Sequence, residues 1–135
     1  MNKILTYVVQ LILVSVLVFG LHYIFQQVLG VLGNWENTGY SLHLIYLFEL
    51  MMSIIMIVAV VASGKSMPNN IGYVFLALLT LKCLGNYFFI QPVLDAEVSN
   101  DFVKHNFLII FIIFLVFDVY VTYRVLNQEN VKTPE

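Results

Sequence analysis

The chain has 135 residues, of which 61% are hydrophobic and only 10% are charged. A soluble domain carries about 25% charged residues, and a chain this short has too much surface to hide so much apolar material from water. The composition therefore excludes a soluble globular domain, a disordered chain and a secreted disulfide scaffold, and it leaves a multi-pass membrane protein. The formal net charge of −2 argues against nucleic acid as a partner, because nucleic-acid-binding proteins carry clustered lysine and arginine.

Four apolar stretches follow one another along the chain, over residues 4–25, 42–62, 71–90 and 106–126. Each has roughly 20 residues, the length at which a helix crosses about 30 Å of hydrocarbon. Only helices and closed barrels satisfy the backbone in lipid, and these stretches lack the alternation of a barrel strand. The sequence predicts one all-α membrane domain over residues 1–135, a bundle of four transmembrane helices with a short tail at 127–135.

The connections between the stretches are polar or contain helix breakers. Residues 63–70 are predicted to form a short turn. The Gln91-Pro92 pair is expected to end the third helix, because proline cannot continue the hydrogen-bond ladder. The first stretch is longer than the apolar region of a signal peptide and no clear cleavage site follows it, so we expect an uncleaved membrane anchor.

Orientation follows from the placement of lysine and arginine. One side of the predicted bundle carries Lys3, Lys65, Arg124 and Lys132. The other side has Lys104 together with four acidic residues, Glu36, Asp95, Glu97 and Asp101. The positive-inside rule therefore predicts that both termini and the turn at Lys65 lie in the cytoplasm.

Three ionisable residues fall well inside the stretches: Glu49, Lys82 and Asp118. A charge at the centre of a membrane helix costs roughly 2.5–3.5 kcal/mol and tends to face a partner. Glu49 lies about 10 Å and Lys82 about 12 Å from the same predicted boundary, and Asp118 lies about 6 Å deeper. We expect Lys82 to pair chiefly with Glu49 and secondarily with Asp118.

Polar neighbours extend this predicted network. Ser53 follows Glu49 by four residues and Asn86 follows Lys82 by four, so each pair shares one helix face. Gln10 of the first stretch has a depth similar to that of Asp118, which predicts a common polar interior. This network has two interpretations: a structural ion pair that fixes helix register, or a site that handles protons or ions, in which one carboxyl keeps its proton because burial disfavours its charged form.

No motif indicates an enzyme, a metal site or a cofactor. His22, His43 and His105 all fall near one predicted boundary, but they form no known ligand pattern, so we expect three separate interfacial histidines. No Ser-His-Asp, Cys-His or HExxH arrangement is present, and we expect a protein without catalytic residues.

Two segments carry a resemblance to a known family. One is Gly72-Tyr73-Val74-Phe75-Leu76 with Leu81-Lys82 and Gln91-Pro92-Val93-Leu94; the other runs from Val103-Lys104-His105-Asn106-Phe107 through Phe117-Asp118-Val119-Tyr120 to Arg124-Val125-Leu126-Asn127. Together they resemble a small bacterial four-helix membrane family of unassigned function that is commonly encoded beside the ATP synthase genes. The lysine ten residues after Gly72 is also similar to the third-helix pattern of ATP synthase subunit I, an assembly factor for the rotor ring.

The resemblance implies a non-enzymatic accessory or assembly factor of the bacterial inner membrane, in contact with the lipid bilayer and with other membrane subunits, ATP synthase rotor or stator subunits among them. Two alternatives stay open. One is a small proton-coupled transporter or ion-conducting protein that uses Glu49, Lys82 and Asp118, and the other is a structural membrane subunit of a larger complex.

Overall fold

The structure is a computed structural model that describes residues 2–36, 38–96 and 100–132. Four α-helices account for most of these residues: α1 (Asn2–Leu29), α2 (Leu42–Ser66), α3 (Ile71–Leu94) and α4 (Asp101–Lys132). Short 3-10 turns at Leu32–Trp35 and Pro68–Asn70 lie in the α1–α2 and α2–α3 connections. The predicted all-α class is confirmed, and all four helices are long and apolar enough to cross a membrane.

Each helix extends beyond its predicted bounds, because polar residues continue the helices past the apolar stretches. α1 ends at Leu29, and the next residue, Gly30, has a φ of +73°, the left-handed conformation that commonly follows the end of a helix. α4 begins at Asp101, where the Asn100 side chain accepts a hydrogen bond from the Val103 N–H at 3.2 Å. The residues predicted as a tail are helical as far as Lys132.

The expectation that Gln91-Pro92 ends the third helix is wrong, since α3 includes Pro92 and ends at Leu94. Pro92 lies in the last turn, so the missing N–H removes one ladder bond near a helix end rather than in the middle. The Asp95 N–H donates to the Gln91 carbonyl at 2.9 Å and closes the helix. The predicted turn at 63–70 is also shorter than expected, because α2 continues to Ser66.

α2 is the central helix of the bundle. It packs against α1, α3 and α4, and α3 also packs against α4. In the most apolar part of each helix, 44% of the α2 residues are buried but only 11% of the α1 residues are. The polar residues of α2 therefore meet protein on several sides, whereas α1 leaves most of its surface to lipid or to another protein.

We name the two ends of the bundle by their residues. The Trp35 end contains the α1–α2 connection and the start of α4, and the Lys65 end contains the α2–α3 connection. Glu97, which the lysine and arginine count places with the Trp35 end, lies outside the described residues.

Candidate functional site: two buried polar clusters

The first cluster joins α2, α3 and α4 through Lys82. The Lys82 ammonium donates to Asp118 Oδ2 and, at 3.0 Å, to Ser53 Oγ. Ser53 Oγ in turn donates to Asp118 Oδ2 at 3.3 Å. None of the three side chains is more than 2% exposed. We call these three residues the lysine cluster; it ties one residue from each of three helices into a closed set of bonds.

The expectation that Lys82 pairs chiefly with Glu49 is wrong. Both Glu49 carboxyl oxygens are buried without a hydrogen-bond partner in the part of the chain that the structure describes. The Glu49 carboxyl is close enough to interact electrostatically with Lys82 and with Asp118. Glu49 and Lys82 have similar depths along their helix axes, but depth alone does not decide which side chains meet. The rotation of α3 about its axis turns the Lys82 side chain towards α4, where Asp118 is its partner.

Asn86 lies one turn from Lys82 on α3 and is 4% exposed. Its Nδ2 donates to the Lys82 carbonyl at 2.7 Å, but its Oδ1 has no partner among the described residues. Asn86 and Glu49 therefore both present unsatisfied acceptor oxygens beside the lysine cluster. Buried acceptors without donors are rare in proteins.

Gln10 does not join this interior, contrary to the expectation. Its side chain is exposed on α1, where it lines a lateral groove between α1 and α4 together with residues such as Val14, Val116 and Tyr120. The polar interior of the bundle is therefore formed by residues of α2, α3 and α4, and Gln10 of α1 is not part of it.

A second cluster lies at the Trp35 end and joins α1, α2 and α4. His22 Nδ1 is 3.0 Å from the Tyr46 hydroxyl, and His22 Nε2 is 3.0 Å from Asn106 Oδ1. Gln26 Nε2 donates to the same Asn106 oxygen at 2.5 Å, and Trp35 Nε1 donates to Gln26 Oε1 at 3.0 Å. We call these five residues the histidine cluster.

The contacts of the histidine cluster meet at His22 Nε2 and Asn106 Oδ1. His22 Nε2 lies 3.0 Å from Asn106 Oδ1 and 3.2 Å from Gln26 Nε2. A ring nitrogen that carries a hydrogen donates to the Asn106 oxygen, whereas one without a hydrogen accepts from the Gln26 amide, so the two tautomers satisfy different contacts. Asn106 Nδ2 donates to the Phe102 carbonyl at 2.8 Å, which holds the amide in this orientation. The cluster therefore fastens α1 to both α2 and α4.

Sequence reasoning missed the histidine cluster, although part of a signal was present. Gln26 follows His22 by four residues on α1, and Tyr46, Glu49 and Ser53 share one face of α2 at spacings of three and four. The bonds from His22 and Gln26 of α1 to Asn106 join residues 84 and 80 positions apart, and no local sequence pattern predicts such a contact.

The other two histidines lie apart from this cluster. The His43 ring packs on Phe19, with ring centroids 4.9 Å apart, and His105 is exposed. Among the described residues, no group of three His, Cys, Asp or Glu side chains is arranged to hold a metal ion.

Tyr40 fastens the α1–α2 connection to α3. Its hydroxyl donates to the Phe89 carbonyl at 2.6 Å, and its ring packs edge-on against the Phe89 ring. Burial raises the pKa of Tyr40 above the ordinary value, because the ionised phenolate is disfavoured away from water.

The fold and the two clusters define a class: a small all-helical bundle with four candidate membrane spans and a buried polar centre. The chain matches no protein-family profile, no curated protein and no solved structure. The resemblance to subunit I therefore stays a prediction based on the segments quoted above.

Proposed function

We propose that this chain is a non-enzymatic accessory or assembly protein of the bacterial inner membrane, which binds a transmembrane helix of a larger complex along the α1–α4 groove. The sequence resemblance makes ATP synthase the first complex to test, with a rotor or stator subunit as the partner.

The exposed amide of Gln10 is the observation that carries this proposal. Gln10 lies within a candidate membrane span, on the wall of a groove that is otherwise lined by apolar side chains and the Tyr120 ring. An amide that faces hydrocarbon without a hydrogen bond is costly, and amide side chains commonly join one membrane helix to another. A polar group on a docked partner helix would satisfy Gln10.

The position of α1 supports the same proposal. Only 11% of the residues in its most apolar part are buried within the bundle, so a large helical face is free to contact another protein. The lysine cluster, by contrast, is enclosed, and its three side chains bond to one another across α2, α3 and α4, which is the arrangement expected of side chains that hold the bundle together.

Affinity purification in mild detergent tests the proposal. The tagged chain is purified from native membranes, and the recovery of ATP synthase rotor and stator subunits is quantified. We expect these subunits to co-purify with the wild type and several-fold less with Gln10→Leu. Gln27→Leu is the matched control, because Gln27 is another exposed glutamine of α1 and lies outside the groove.

Equal recovery with Gln10→Leu would contradict the α1–α4 groove as the binding surface. Recovery of the chain alone, as a self-associated species, would contradict the assembly role and favour the proton-coupled alternative. A stoichiometric complex without ATP synthase subunits would instead indicate a structural subunit of another assembly.

A further inference from the structure

The register between α2 and α3 places Glu49 opposite Asn86. These helices are antiparallel neighbours, and Lys82 Nζ bonds to Ser53 Oγ across their interface at 3.0 Å. Closer to the Trp35 end, the rings of Phe48 and Phe89 stack with centroids 4.1 Å apart. Glu49 lies one turn before Ser53, and Asn86 lies one turn after Lys82, so both residues lie between these two contacts and at the same level.

This level of the interface holds acceptors without donors. Both Glu49 oxygens and Asn86 Oδ1 have no hydrogen-bond partner among the described residues, and the Asn86 amide N–H already donates to the Lys82 carbonyl. Glu49 is 0% and Asn86 is 4% exposed, so bulk water does not reach them. Leaving buried acceptors unsatisfied costs free energy, and one donor between the two side chains would remove that cost.

The charges around Glu49 also favour a proton on its carboxyl. Lys82 from α3 and Asp118 from α4 are the charged residues that act on Glu49. On α1 the titratable rings that face the bundle include Tyr7, which is buried, and His22, which bonds to Tyr46. Two carboxylates and one ammonium leave a surplus of one negative charge. Asp118 accepts from Lys82 and Ser53 through Oδ2 alone, and its Oδ1 has no partner among the described residues. Glu49 lacks a partner at both oxygens, so a single proton on Glu49 neutralises the group and supplies a donor at the level of Asn86.

We propose that Glu49 is a proton-binding site, in which the protonated carboxyl donates to Asn86 Oδ1 and exchanges its proton with the Trp35 end of the bundle. This site does not depend on the accessory role proposed above, since a bundle with or without a docked partner presents the same residues.

The distribution of polar side chains indicates the direction of exchange. Towards the Trp35 end, Tyr46 precedes Glu49 on the same face of α2, and its hydroxyl bonds to the half-buried His22. Towards the Lys65 end, the most deeply buried side chains of α2 and α4 are apolar, and Met56, Ile57, Val60, Val121 and Val125 are each at most 3% exposed. The buried Thr122 hydroxyl there donates to the Asp118 carbonyl, and Ser63 lies near the helix end. We therefore infer that the proton reaches Glu49 from the Trp35 end, by way of Tyr46 and His22, and not from the Lys65 end.

Infrared spectroscopy of the purified protein in detergent tests the site. We expect the wild type at pH 7 to show the carbonyl stretch of a protonated carboxylic acid, which Glu49→Gln removes and Asn86→Leu shifts in frequency. Glu36→Gln is the control, since Glu36 is an exposed carboxyl, and it should leave the band unchanged. A band that survives Glu49→Gln, or a wild type without the band, would overturn the proposal.

Thermal unfolding separates this site from a simple ion pair. Glutamine has the shape of a protonated glutamate and can donate to Asn86 Oδ1 in the same way. Glu49→Gln should therefore unfold at the wild-type temperature at pH 7. A clear loss of stability would mean that an ionised Glu49 is needed, and would contradict the proposal.

The rate at which the band shifts after dilution into D₂O tests the route. We expect Tyr46→Phe to slow the shift several-fold, because it removes the hydroxyl that bonds to His22 from the turn of α2 before Glu49. Tyr123→Phe, at an exposed tyrosine of α4 near the Lys65 end, should not slow it. Equal rates in the wild type and Tyr46→Phe would contradict exchange through the Trp35 end.

Discussion

The Lys82 ammonium of α3 bonds to the Asp118 carboxylate of α4, thirty-six residues further along the chain, and Ser53 of α2 bonds to both. Since all three side chains are almost fully buried, this pair connects the last two helices to the central one. Its geometry sets the order in which substitutions at the buried charges should affect stability.

Glu49→Leu should be tolerated better than Asp118→Leu. Losing Asp118 strands the Lys82 ammonium, whereas losing Glu49 leaves only the Asn86 amide oxygen without a donor. We expect a cost of about 1–3 kcal/mol for Asp118→Leu and a smaller one for Glu49→Leu, measured by thermal unfolding in detergent. A larger loss for Glu49→Leu would show that Glu49 is the main partner of Lys82 after all.

Gln26→Leu should loosen the Trp35 end. The substitution removes the acceptor of the Trp35 indole N–H and one donor to Asn106, and unsatisfied buried groups cost about 1–3 kcal/mol. Trp35 is the single tryptophan of the chain, so its fluorescence emission should change together with the unfolding temperature. The exposed Gln27 provides the control, and Gln27→Leu should alter neither; unchanged emission in Gln26→Leu would contradict the bond.

Gly85 allows the close approach of α2 and α3. A Cβ atom at this position would lie 2.9 Å from Met52 Cε, the flexible end of a side chain. We expect Gly85→Ala to be nearly neutral, because Met52 can move and alanine favours the helix by about 1 kcal/mol. Gly85→Leu should destabilise the bundle by about 1–3 kcal/mol, and Met52→Ala should recover part of that loss in the double variant.

The proposed topology is tested with introduced cysteines in a variant that lacks the exposed Cys83. The lysine and arginine placement predicts that a cysteine at Glu97 reacts with an impermeant thiol reagent from outside the cell, whereas one at Gln128 reacts only after the membrane is opened. The reverse labelling pattern would overturn the orientation.

Metal binding provides a further check on the histidines. We expect the purified wild type to bind zinc or copper no more tightly than a variant in which His22, His43 and His105 are all replaced. His22 is engaged with Tyr46 and Asn106, and His43 packs against Phe19. Tight binding that disappears in the triple variant would contradict this expectation.

The helices could be predicted from the sequence because each apolar stretch is long enough to span a membrane by itself. Their ends could not, since residues such as Gln26 and Asp101 are polar and yet helical: Gln26 is buried against another helix, and Asp101 lies in a capped first turn. Pro92 lies within α3 for a related reason, because one missing bond near a helix end is a small cost.

The members of the polar centre could be found from the sequence, but their pairing could not. Charged residues inside apolar stretches point to Glu49, Lys82 and Asp118, and the rise per residue gives their depths. Rotation about each axis decides which side chains meet, and it depends on how all the helices pack. The same limit applies to Gln10, which has the depth of the polar centre but faces the lateral groove between α1 and α4.

The central claim, that Lys82 and Asp118 form the structural pair of the bundle, is tested most directly by a double-mutant cycle. Lys82→Met, Asp118→Leu and the double variant are compared with the wild type by thermal unfolding in detergent. We expect the double variant to recover most of the stability lost in Asp118→Leu, with a coupling energy of about 1–2 kcal/mol. A double variant no more stable than the worse single variant would contradict the pairing.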